Sequence, residues 1–202
     1  MRFGSTQNLS PNTTALTPEL IDFLGQGRTV ALLGSTGSIG TQGIEVIDHL
    51  NSLADSSSGA QDAPLRVLAL SAGSSSLPAL AQQAVKLRVQ LVATSGSEQD
   101  AVRLRELIAD AARIQGLSSY QPDIAYGPEA SVQAASSGAD VVLNGITGSI
   151  GLRPTLAALE AGSQVALANK ESLIAGGALV RAAVDASPLE QPMVPVDSEH
   201  SA

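Results

Sequence analysis

Asp197 and Glu199 stand two positions apart, directly after Pro195-Val196. In an extended segment such positions point to the same side, so both carboxylates can reach one divalent cation. Hard Mg²⁺ or Mn²⁺ suits ligands of this kind, with water and substrate oxygens completing the octahedron. Zinc would ask for more nitrogen or sulfur, and the chain offers only His49 and His200 and no cysteine. The rival reading is a pair of solvated acids. A second group, Asn169-Lys170-Glu171, follows the apolar run Val165-Ala-Leu-Ala and contains one of the chain's two lysines. An amide, an ammonium and a carboxylate at a strand end can bind a phosphate ester, a carbonyl or a ribose. The same residues also suit an exposed helix start, with Asn169 as cap and Glu171 facing the dipole.

The third group is the most informative. Arg28-Thr-Val-Ala-Leu-Leu runs into Gly34, Gly37 and Gly40, and an apolar-patterned helix follows. A strand, a tight turn and a helix N-terminus set backbone N–H groups and a positive dipole end against a pyrophosphate. Gly34 allows the sharp turn, Gly37 the close approach of phosphate, and Gly40 the packing of helix on strand. The spacing GxxGxxG is a variant of the dinucleotide fingerprint GxGxxG. A glycine-rich turn with no ligand is the alternative. A nucleotide-hydrolysing P-loop is disfavoured, since no Lys-Ser or Lys-Thr follows. At the end of the next strand, Ser71-Ala-Gly73-Ser74-Ser75-Ser76 holds no acid. A carboxylate there would bind the ribose of NAD and repel a 2′-phosphate, so the loop favours NADP(H).

These groups need a scaffold that brings strand ends together. Short apolar runs alternate with helical periodicity from Arg28 onward, which predicts βαβ units. We expect strands at Arg28–Leu33, Leu65–Leu70, Val89–Ala93, Asp123–Tyr126, Asp140–Leu143 and Gln164–Ala168, with one more ending at Pro195–Asp197. Helices are expected at Ser38–Leu50, Leu77–Leu87, Ser97 to before Gly116, after Pro128, Ile150–Ala161 and Glu171–Ala186. The first helix should bury Ile39, Ile44, Val46, Ile47 and Leu50, and Asn51 to Pro64 reads as a surface loop. Leu104, Leu107, Ile108 and Ala111 form the inner face of the helix that Ser97 and Asp100 open. The fold class that follows is α/β: a Rossmann-like, doubly wound, mostly parallel sheet with helices on both faces.

Composition agrees. The chain has 202 residues, is 44% hydrophobic with mean hydropathy +0.17, and has only 2% aromatics. Its core must be aliphatic, as buried parallel strands under Ala-rich helices require. A net charge of −8 argues against nucleic acid and anionic membrane surfaces, though not against a small phosphorylated molecule. The lack of cysteine fits a reducing cytoplasm, the expected location. No apolar run reaches the roughly 18 residues a membrane helix needs. Residues 1–27 lack the basic start and apolar core of a signal peptide and read as a flexible extension.

Four blocks occur in order: Gly34-Ser-Thr-Gly-Ser-Ile-Gly40, Asn144-Gly-Ile-Thr-Gly-Ser-Ile-Gly-Leu-Arg-Pro-Thr-Leu156, Leu167-Ala-Asn-Lys-Glu-Ser-Leu173 and Pro195-Val-Asp-Ser-Glu-His-Ser201. Together they resemble the 1-deoxy-D-xylulose 5-phosphate reductoisomerases of non-mevalonate isoprenoid synthesis. The resemblance runs from about Arg28 to the last residue. It implies an NADPH-binding domain at 28–186 and the start of a catalytic domain at 187–202. It places Thr36, Gly37, Ser38 and Ile39 at the pyrophosphate and nicotinamide end. Gly73, Ser74 and Ser75 fall at the adenosine ribose phosphate, and Asn169 and Glu171 at later cofactor contacts. Ser74-Ser75 departs from the Lys-Asn that relatives often carry.

By the same resemblance Lys170 and Ser198 contact substrate, while Asp197 and Glu199 hold the metal and Glu199 also nears the substrate. Lys170 and Glu199 are then the catalytic pair. The implied reaction isomerises and reduces 1-deoxy-D-xylulose 5-phosphate to 2-C-methyl-D-erythritol 4-phosphate, with NADPH and Mg²⁺ or Mn²⁺, in a homodimer. Family members continue into a catalytic domain after Asp-Ser-Glu-His. The 202 residues alone are therefore expected to be inactive. The alternative function is a non-catalytic NADPH-binding module.

Overall fold

In the computed structural model, residues 25–58 and 63–196 are described. They form seven strands and six α-helices: β1 Arg28–Leu33, α1 Ser38–Ser58, β2 Leu65–Ala72, α2 Leu77–Leu87, β3 Leu91–Thr94, α3 Glu98–Ile114, β4 Asp123–Tyr126, α4 Ala130–Ala135, β5 Val141–Asn144, α5 Leu152–Glu160, β6 Gln164–Leu167, α6 Lys170–Ala186 and β7 Met193–Pro195. The strands make one sheet in the order β4-β3-β2-β1-β5-β6-β7. Every pairing is parallel. The chain winds outward from β1 through β4, then returns to lie on the other side of β1. The reversal between β1 and β5 opens a crevice at the carboxyl ends of those strands.

Strand alternation divides the core in two. Val30, Leu32, Val67, Leu70 and Val92 point to one face, covered by Ile44 and Ile47 of α1, Leu80 and Val85 of α2, and Leu104 and Ile108 of α3. Ala31, Ala69, Ala93 and Ala125 point to the other, where Ala130, Ala134 and Ala135 of α4 sit on them. Small residues on both partners let the short α4 lie close under the middle of the sheet. Each fully buried leucine contributes about 2 kcal/mol through area removed from water.

The local chemistry explains several boundaries. Ser97 and Asp100 form a reciprocal capping box at the start of α3. A Cβ at Gly96 would stand 2.5 Å from the Asp100 carboxylate, so glycine there lets Asp100 fold back. Pro78 sits in the first turn of α2, and Arg88 closes that helix in the left-handed region with φ 51°. Pro154 likewise lies in the first turn of α5. Helix α6 is kinked at Gly176, where φ is −124° and a Cβ would meet Leu152 Cδ1 at 2.4 Å.

Three expectations need correction. Asn51 to Ser58 is helical rather than loop, because the apolar spacing continues to buried Ala54. Asn51 is polar for a tertiary reason: its amide donates to the Leu65 carbonyl and accepts from the Leu65 N–H, both at 2.9 Å. Val46 is 56% exposed, since it lies about 200° around the helix from Ile44. Ile39 is half-buried, and its side chain packs against the backbone of Gly145 rather than in the core. Strand β7 pairs in register with β6 at the edge of this sheet.

Candidate functional site

The turn after β1 is built by backbone geometry. Gly34 has φ +75°, and a Cβ on it would lie 2.9 Å from the Gly145 carbonyl oxygen. A Cβ on Gly40 would lie 2.4 Å from the Gly34 carbonyl oxygen, whereas at Gly37 the nearest atom is 3.3 Å away. Thus Gly34 makes the turn and Gly40 the close packing, and at Gly37 a Cβ would press on the Gly34 carbonyl oxygen less severely. The Gly34 and Ser35 amides both donate to the Ser71 carbonyl, at 2.8 and 2.9 Å, which ties the turn to the end of β2. Ser35 is completely buried and donates to Gln83 at 2.8 Å, and Gln83 donates back to the Ser35 carbonyl. Among the described residues, no acceptor takes the amides of Thr36, Ser38 or Ile39. They are the open donors of a helix start.

Facing this turn is the loop after β5. Asn144 is buried; its Nδ2 donates to the Gly151 carbonyl and to Thr155 Oγ1, and its Oδ1 accepts from the Ile146 N–H. Asn169, also buried, caps α6 by accepting from the Ser172 N–H at 3.0 Å. The Asn169 amide nitrogen donates to the carbonyls of Ile146 and Gly148. Gly151 is required beneath it, for a Cβ there would fall 2.3 Å from Asn169 Nδ2. The asparagine expected to touch cofactor also holds the β5–α5 loop against the start of α6 through both ends of its amide.

Two clefts open along this floor and share Gly37, Gly145, Ile146 and Thr147. One, of about 520 Å³, is bounded by Ser38, Ile39, Leu167, Lys170, Glu171, Met193 and Pro195, with Asn169 in its wall. The other, of about 640 Å³, is bounded by Gly34, Gly73, Ser95, Ser131, Ile150 and Arg153. The structure thus brings Gly37, Ser38, Ile39, Asn169, Lys170 and Glu171 around one cavity and Gly73 onto the next. Thr36, Ser74 and Ser75 line neither; Ser74 and Ser75 are exposed in a short 3₁₀ turn just past Gly73. Asp197, Ser198 and Glu199 lie outside the described residues, and with them the expected metal ligands.

Each cleft has one cationic side chain among its lining residues. No carboxylate among the described residues pairs with Lys170. Arg153 forms a two-pronged ion pair with Glu129, with Nη2–Oε2 at 2.7 Å. Thr147, Ser95, Ser131 and Arg153 were not singled out from the sequence. Ser95 follows β3 directly and Thr147 follows β5 closely, so the strand-end rule could have found both. Nothing local marks Ser131, and Arg153 lies in the Asn144–Leu156 block with no role assigned to it there. Two titratable groups elsewhere are perturbed. Burial pushes the Tyr120 phenol upward, while its hydroxyl hydrogen is shared between the carbonyls of Ala84 and Val89. Hydrogen bonds from Thr29, side chain first and then backbone, hold Asp140 below the ordinary carboxylate range.

A doubly wound parallel sheet, with a glycine turn and open helix amides at its switch point, defines a Rossmann-like dinucleotide-binding domain. The family model described as 1-deoxy-D-xylulose 5-phosphate reductoisomerase matches residues 30–177, and the chain belongs to that family. The reductoisomerase of Arthrobacter sp. (strain FB24) is 54% identical over 177 residues, covering 88% of this chain and 41% of that relative. The solved reductoisomerase of Zymomonas mobilis in complex with NADPH is similar at 35% identity and a TM-score of 0.70, covering 87% of this chain and 40% of its own. A solved reductoisomerase in complex with NADPH, fosmidomycin and magnesium is similar at 27% identity and TM-score 0.63, covering 84% of this chain and 36% of its own. The chain thus spans about two fifths of the length of these relatives. No described helix is long and apolar enough to cross a membrane.

Proposed function

We propose that this chain forms the NADPH-binding part of a reductoisomerase that converts 1-deoxy-D-xylulose 5-phosphate to 2-C-methyl-D-erythritol 4-phosphate. The observation that carries the reading is the continuous floor at Gly37 and Gly145–Thr147, with Lys170 at one end and the hydroxyl-rich loop after β2 at the other. In this reading residues 28–186 together with β7 make the cofactor domain, and the segment after β7 opens the catalytic part.

The residues fit a dinucleotide. The open amides of Thr36, Ser38 and Ile39 suit a pyrophosphate, and side chains at Gly34 or Gly145 would crowd the backbone that cradles it. Bound NADPH supplies the hydride for reduction. Ser38 and Ile39 orient the pyrophosphate, and Ile39, Leu167 and Met193 keep water from the reacting end. Lys170 donates to substrate oxygens and holds positive charge where negative charge develops during the bond rearrangement. Glu171, beside it, orients the ribose. Ser198 joins Lys170 on the sugar phosphate, and Asp197 and Glu199 hold Mg²⁺ or Mn²⁺. What supports the metal assignment is the D-x-E spacing of Asp197 and Glu199 in the sequence.

A fluorescence titration tests the reading. The chain should saturate with NADPH; tight NADH binding with no response to NADPH would overturn it.

A further inference from the structure

NADPH differs from NADH by a 2′-phosphate, a doubly charged group with strong acceptor oxygens. The loop that approaches it, Gly73-Ser74-Ser75-Ser76, contains neither lysine nor arginine. Hydroxyls satisfy the oxygens but leave the charge uncompensated. The cleft that Gly73 enters has a single cationic side chain among its lining residues, Arg153. It projects from the first turn of α5, 68% exposed, and contacts Glu129 through its two terminal guanidinium nitrogens. Glu129 precedes α4, and its neighbours Pro128 and Ser131 line the same cleft.

This pair is two-pronged but open to solvent on both sides. Exposed ion pairs contribute little to stability, because water competes for both partners. A phosphate presents the same paired-oxygen geometry to the guanidinium fork with more charge. Once Arg153 turned to a phosphate, Glu129 would be left facing solvent at small cost.

The geometry points to Arg153 as the residue that distinguishes NADPH from NADH, exchanging Glu129 for the 2′-phosphate when the cofactor binds. The inference rests on the reading that this trough holds NADPH. In it Gly73, which lines the same cleft, brings the loop after β2 to the phosphate, and Arg153 supplies the charge. Glu129 keeps the guanidinium from binding other anions when the cleft is empty.

Equilibrium binding of NADPH, NADH, 2′,5′-ADP and 5′-AMP separates the possibilities. Arg153→Ala should weaken NADPH and 2′,5′-ADP about tenfold, as expected for one lost charge-assisted contact, with NADH and 5′-AMP unchanged. Glu129→Gln should tighten NADPH severalfold. Thermal unfolding checks that both variants fold, as substitutions at exposed positions should. If Arg153→Ala weakens all four ligands equally, or none, the inference fails and the NADPH-binding reading stands. If the parent chain binds neither dinucleotide, both fail.

Discussion

The two clefts that meet over Gly145–Thr147 treat their polar side chains in opposite ways. Beside Lys170, the amide of Asn169 is committed to backbone on all sides, while no carboxylate among the described residues pairs with the lysine. Beside Gly73, the cation Arg153 is held by Glu129, and Ser71 and Ser131 hydrogen-bond each other at 3.2 Å. One end offers a standing positive charge on a fixed base. The other offers a charge that an anion must win from a competing carboxylate. Between them lies the shared floor of Gly37, Gly145, Ile146 and Thr147.

Breaking that floor should have the largest effect. Gly40→Val places a side chain 2.4 Å from the Gly34 carbonyl oxygen and should cost more than about 3 kcal/mol in chemical denaturation, with binding lost at both ends. A stable Gly40→Val with parent affinity for NADPH would show that the turn can yield. Asn169→Ala comes next. It removes a helix cap and leaves two inward carbonyls without a donor, for a loss of about 2–4 kcal/mol. The same denaturation curve measures it, and a loss under 1 kcal/mol would mean water replaces the amide.

Lys170→Ala sharpens the contrast. Its stability should stay within about 0.5 kcal/mol of the parent, and its NADPH affinity within about twofold, unlike the Arg153 variant. A tenfold loss of NADPH affinity would make the lysine a cofactor contact and erase the difference between the clefts.

The smallest effect lies outside both. Asp140 accepts from the Thr29 N–H at 2.8 Å and from its hydroxyl at 2.7 Å, joining the starts of β1 and β5. Because its folded pKa is depressed, the stabilisation is full above the unfolded carboxylate pKa of about 4 and fades as pH falls through the lower folded value. Asp140 is exposed, so solvent screening limits the contribution to about 0.5 kcal/mol. Asp140→Asn should therefore flatten the acid side of the stability–pH curve slightly and leave NADPH binding unchanged. An unchanged acid limb would assign no linkage to this contact.

Elements whose signals are local could be read from the chain alone. Helix α2 and strand β4 occupy the spans their patterns predict, and Gly34 and Gly40 have the turning and packing roles that their spacing implies. The end of α1 was not legible, because Asn51 looks like a loop residue until β2 lies beside it. At the site, Lys170 and Ser38 announce themselves by position after a strand and after glycines. Arg153 does not announce its pairing: its partner is 24 residues away, just ahead of a neighbouring helix, and only tertiary packing joins them. The engagement of Asn169 was hidden for the same reason, since its acceptors lie 21 and 23 residues back.

The break at Gly176 has a mechanical corollary. Leu152 occupies the space where a Cβ at that position would sit, and Asn169 is laced to the loop that leads into α5. The opening turns of α6 therefore take their bearing from that loop, and past the kink the helix is anchored separately by Val180 in the core. Lys170 and Arg153, at opposite ends of the trough, are in effect mounted on one bracket.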